Sequence, residues 1–146
     1  MRLTSPAFNS GDDLPTRFAR QHGNVSPPLR FERVPDRARS LALIVKDPDA
    51  PNGTFVHWVV YNLPPNTDEI LEGRLPPEAL VGRNDYGELG YGGPQPPEGT
   101  HRYYFEAYAL DELVPLPPGA TAAELDNAVQ RHLLENAQLM GRFTAG

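Results

Sequence analysis

Apolar residues in this chain fall in short runs separated by proline, glycine and acidic residues. Leu41–Val45 is continuously apolar and partly β-branched, which predicts a buried strand. Asp47-Pro48-Asp49-Ala50-Pro51-Asn52-Gly53 breaks that run, since proline cannot donate to a sheet ladder and Asn-Gly favours a tight turn. Phe55 to Leu63 predicts a second strand, apolar on both faces and therefore central. Strict alternation along it puts Phe55, His57, Val59 and Tyr61 on one face. His101 to Asp111 is the strongest strand, with His101 and Tyr103 on the same side. Weaker strands are expected at Leu3 to Phe8, where Pro6 implies an edge, at Leu29 to Arg33 and at Glu69 to Leu71. Pro76–Leu80 reads as a single helical turn. Thr121-Ala122-Ala123-Glu124 has the form of a capping box, and Leu125, Val129, Leu133 and Met140 continue it as a helix to about Gly141. Strands followed by one helix predict a β-sandwich with a peripheral helix.

Composition sharpens this picture. With 17 prolines and 13 glycines in 146 residues, a helical bundle is excluded, and the regular apolar strands exclude disorder. The length suits one domain, residues 1–146. A net charge of −6 and the lack of a basic run argue against nucleic acid and against an anionic membrane surface. No apolar run approaches the roughly 20 residues of a membrane span. The opening MRLTSPAFNSGDD lacks the apolar core of a secretory signal. The absence of cysteine excludes disulfides and thiolate metal sites, and a cytoplasmic location is expected.

Two histidines stand beside Gly/Pro-rich loops, His57 after the acidic turn and His101 after Gly90–Gly99. Each has an ordinary reading as a satisfied strand residue and a second as a pocket wall. Asp47 can bond its own turn backbone or serve a pocket, and for Asp49 the turn role is favoured. Five glycines between Gly82 and Gly93 lack the lysine and helix start of a P-loop. No serine sits in a G-x-S-x-G elbow. Asp47, His57 and His101 have the chemistry of a zinc set but no local motif for one.

DPDAP followed by HWVVYN, then GYGGPQPPEGTHRYYFEAYALD, resembles the phosphatidylethanolamine-binding protein family. LTSPAF, GNVSPPL and ALDELVPLPPGATAAEL are similar to its bacterial and archaeal, Raf-kinase-inhibitor-like branch. The resemblance covers nearly the whole chain. It implies two antiparallel sheets with Greek-key connections and a small C-terminal helix. It also implies a small cavity, lined by His57 and His101, for phosphate-like anions and phospholipid headgroups. Asp47 carries over as the pocket aspartate, Pro51, Pro94 and Tyr103 as wall, and GNVSPPL as a segment near the ligand-bearing end. Imidazole N–H groups, and backbone amides near Gly93, suit phosphate oxygens. Arg102 points away from His101 and reads as a structural ion-pairing residue. Relatives of this branch often carry cysteines where this chain has Gln95 and the Arg20–His22 segment, so thiol regulation does not transfer. The cavity tyrosine supplied by the longer C-terminal helix of eukaryotic members has no counterpart.

The expectation is a non-enzymatic binding protein with no catalytic residues, metal or cofactor. Its ligand would be a phosphate-type anion or phosphorylated headgroup, and a kinase or protease would be its protein partner. The branch also implies a homodimer. The alternatives are an inhibitor acting through its surface and a metal-assisted hydrolase.

Overall fold

The computed structural model describes residues 1–146. Its strands are β1 (Arg2–Thr4), β2 (Leu29–Glu32), β3 (Ser40–Asp47), β4 (Phe55–Leu63), β5 (Glu69–Ile70), β6 (Leu80–Val81), β7 (Thr100–Leu110) and β8 (Leu133–Thr144). One helix, α1 (Ala122–His132), precedes β8, and Thr16–Phe18 form a 3-10 turn. The strands pair antiparallel into a three-stranded sheet, β1-β2-β5, and a five-stranded sheet, β6-β4-β3-β7-β8.

The long central strands are buried on both sides, as their two apolar faces require. Leu41, Leu43, Val45, Trp58, Val60, Phe105 and Ala107 pack against Leu3, Leu29, Phe31 and Ile70 of the small sheet. On the opposite side Ala42, Ile44, Val59, Tyr61, Tyr108 and Leu110 pack against Leu125 and Val129 of α1. The capping box forms as read: Glu124 N–H donates to Thr121 Oγ1, and Thr121 N–H to Glu124 Oε1.

Four expectations need correction. The helix stops at His132, and the chain continues as β8 along the whole length of β7. Ala137, Leu139, Gly141 and Phe143 carry a period-two pattern there, and edge pairing with β7 outweighs the helical spacing of Leu133 and Met140. The alternation in β4 also breaks. Lys46 pairs with Val56 but Val45 with Trp58, so His57 is the extra residue of a β-bulge. Phe55 and His57 face the same way, whereas Val59 and Tyr61 turn to the helix side. Without the bulge, His57 and Trp58 would lie on opposite faces. Leu3–Phe8 contributes only Leu3 and Thr4 to β1, and Pro76–Ala79 is a turn leading into β6 at Leu80.

Candidate functional site

Antiparallel pairing brings the end of β3 beside the starts of β4 and β7. Asp47, Phe55, His57, His101 and Tyr103 therefore meet at one end of the large sheet. They line a cavity of about 490 Å³. The turn Ala50–Thr54 supplies one wall, Asp85 and Tyr86 a second, and Gln95–Pro97 a third. No lysine or arginine lines it.

Each histidine is fixed through Nδ1. His57 Nδ1 lies 2.6 Å from the Gly92 carbonyl oxygen, and Gly92 N–H donates back to the His57 carbonyl at 2.9 Å. A carbonyl only accepts, so Nδ1 carries the proton. His101 Nδ1 lies 2.6 Å from Asp47 Oδ2 and donates to that carboxylate. Nε2 of each ring is left without a partner inside the protein. Asp47 is 3 % exposed and does two jobs: its other oxygen, Oδ1, accepts from Asp49 N–H at 2.8 Å. One oxygen of Asp47 thus closes the turn and the other holds the His101 ring.

Burial depresses the His57 pKa, against the opposing pull of the Gly92 carbonyl and the Asp47 charge. Burial likewise raises the Tyr103 phenol, helped by the Asp47 charge, so that hydroxyl stays protonated. Tyr103 is 1 % exposed, and its hydroxyl is buried near the Asp47 carboxylate without a hydrogen bond of good geometry to it or to any other group. His57 stacks edge-on against Tyr103 and Tyr86, with centroids 5.2 and 5.7 Å away.

Asp49 and Arg102 fasten the turn from outside. Asp49 Oδ2 accepts from the Arg102 backbone N–H and Nε, each at 2.9 Å, and Oδ1 from Nη2 at 2.8 Å. The Arg102 guanidinium holds the Asp49 carboxyl down at about 2. Arg102 is the ion-pairing residue expected, and Asp49 bonds across to β7 as well as belonging to the turn.

A model of the phosphatidylethanolamine-binding protein family matches residues 4–144. The chain belongs to that family. It is 44% identical to a UPF0098 protein of Methanothermobacter thermautotrophicus over 100% of both chains. It is 45% identical to one of Chlamydia muridarum over 98% of each. A crystal structure of a phosphatidylethanolamine-binding protein homologue from Chlamydia trachomatis superposes with a TM-score of 0.94 at 43% identity, covering 99% of this chain and 97% of that one. An Escherichia coli structure described as a new member of the mammalian family gives 0.93 at 29% identity, covering 99% and 98%.

Within this phosphatidylethanolamine-binding protein fold, the structure gathers five of the seven candidate residues: Asp47, Pro51, His57, His101 and Tyr103 line the cavity. Gly93 and Pro94 do not. Gly93 N–H donates to Asn24 Oδ1 at 2.7 Å, and its carbonyl accepts from the Tyr86 hydroxyl at 2.9 Å. Its amide is committed to the GNVSPPL segment rather than offered to an anion. Pro94 accepts from Arg20 N–H at 3.0 Å.

Sequence reasoning missed Tyr86, Asp85 and the Gln95–Pro97 wall. These lie in loops, where no periodicity assigns a direction. Buried Asn84 shapes the first loop, its Oδ1 accepting from Tyr86 and Glu88 N–H while Nδ2 donates to Gly90. Tyr86 is then clamped by the Arg20 guanidinium, 3.7 Å from its ring centroid and paired with Glu88. Asp47, His57 and His101 are not arranged as a metal-ligand set; no group of three or more such side chains in this chain is. No helix is long and apolar enough to cross a membrane.

Proposed function

We propose that the chain is a non-enzymatic binding protein whose cavity takes a phosphate-type anion, free or as a phosphorylated headgroup. The observation that carries this reading is that His57 and His101, each with Nε2 unbonded, line one cavity together with Tyr103, whose buried hydroxyl is unpartnered. A buried hydroxyl without a partner costs stability, and a bound oxyanion is a natural acceptor for it. Protonated imidazoles add charge-assisted donors. Membership of the family supports the same reading.

Titration with phosphate, followed by amide chemical shifts, tests it. Shifts should concentrate at Asp47–Phe55, Tyr86 and His101–Tyr103, and should be lost in His57→Gln and His101→Gln. The wild type should release no product from phosphoesters or carboxylic esters. Unchanged binding in both variants would remove the histidines from the anion site. Turnover lost in His57→Gln would replace the binding reading with a catalytic one.

A further inference from the structure

Resting on that reading, we propose that the cavity selects an oxyanion that brings its own proton: hydrogen phosphate in preference to sulfate or a phosphodiester. The inference comes from the donor inventory. Both Nδ1 atoms already donate, one to the Gly92 carbonyl and one to the Asp47 carboxylate. A neutral imidazole has one N–H, so both Nε2 atoms present lone pairs. The Tyr103 hydroxyl and the Asn52, Thr54 and Gln95 side chains offer donors. No lysine or arginine lines the cavity, while Asp47 and Asp85 do. A fully deprotonated anion can accept from Tyr103 and from the wall side chains of Asn52, Thr54 and Gln95, but it has no proton to give to the two lone pairs and faces two carboxylates.

Hydrogen phosphate fits this inventory. Its P–OH donates to one Nε2, and an unprotonated oxygen accepts from Tyr103. The second ring then takes up a single proton to donate to another oxygen. Sulfate and a phosphodiester carry no proton at neutral pH, so each must recruit protons onto the rings from solvent. The charged and titratable groups around the rings do not reverse this. His57 faces Asp47, Asp85, Tyr86 and Tyr103. His101 faces Asp47, Tyr103 and Asp49, the last neutralised by Arg102. Arg20 lies on the far side of Tyr86, paired with Glu88.

The test compares inorganic phosphate, sulfate and glycerophosphoethanolamine, the last standing for a lipid headgroup, by chemical-shift titration of the full chain. At about pH 8, phosphate should bind at least about tenfold more tightly than either of the others, the factor expected for one hydrogen bond to a charged group. The gap should narrow as pH falls and protons become available to the rings from solvent. Imidazole nitrogen spectra of the free protein at about pH 8 should show Nδ1 protonated and Nε2 bare in both rings. Equal phosphate and sulfate affinity at about pH 8, or a protonated Nε2 in both neutral rings, overturns the proton-selection inference and leaves the anion pocket standing. Tighter glycerophosphoethanolamine binding overturns it in favour of the headgroup. No perturbation by any of the three at high or low pH overturns the pocket reading itself.

Discussion

His101 Nδ1 lies 2.6 Å from Asp47 Oδ2 across 54 positions of sequence, and this contact fixes which ring nitrogen can meet a ligand. A carboxylate only accepts, so the proton sits on Nδ1 and Nε2 is bare. Replacing the carboxylate by an amide inverts that logic. In Asp47→Asn the amide oxygen can still accept from Asp49 N–H, and the NH2 group then donates to Nδ1. The imidazole proton moves to Nε2. Nitrogen spectra should show the switched tautomer, and sulfate affinity at about pH 8 should rise while its pH dependence weakens. The lost charge-assisted bond should cost roughly 1.5–3 kcal/mol of stability by denaturant unfolding. An unchanged tautomer in this variant would show that the contact does not set it.

Gly93 stands where two stretches of backbone cross, with its own amide bonded to Asn24 Oδ1. A Cβ there would lie 2.1 Å from the Phe18 carbonyl oxygen and 2.8 Å from Arg20 N. Glycine is required because two backbones cross, and neither can retreat cheaply. Gly93→Ala should therefore cost roughly 3 kcal/mol or more in urea unfolding. Wild-type stability with phosphate binding abolished would instead restore an anion-binding role for its amide.

What could be read from the chain follows from periodicity. The strands around Leu41–Val45, Phe55–Leu63 and His101–Leu110 carry two apolar faces, so their central place and the meeting of Asp47, His57 and His101 were legible. The bulge at His57 was not, because it is a property of register between two strands. The β8 strand was hidden because Leu125, Val129, Leu133 and Met140 satisfy helical spacing, and no proline or glycine interrupts the chain from Ala122 to Met140. Tyr86 was hidden because its direction depends on Asn84 and Arg20, contacts that no spacing records.

The Tyr103 hydroxyl gives an opposed pair of expectations for one substitution. Tyr103→Phe removes a buried polar group that has no partner, so the free protein should gain roughly 1–2 kcal/mol in denaturant unfolding. The same change removes a donor to the bound oxyanion, and phosphate affinity should fall about fivefold to tenfold. Loss of stability in the free variant would mean that the hydroxyl is already satisfied, by Asp47 or by a buried water.

His57 links the site to stability through pH. Burial places its folded-state pKa below the unfolded value of about 6.5. Between those two values the unfolded chain binds more protons than the folded one, so stability rises with pH there. The contribution is complete above about pH 6.5 and is lost as pH falls toward the folded pKa. The chain holds three other histidines, so the comparison must be differential. From about pH 7.5 to about pH 5.5, the wild type should lose more unfolding free energy than His57→Gln. Saturating phosphate should reverse the sign of that difference, since the bound anion favours the protonated ring. Identical pH slopes in the two free proteins would show that burial does not hold His57 neutral. A slope unchanged by phosphate would show that the ring takes up no proton when the anion binds.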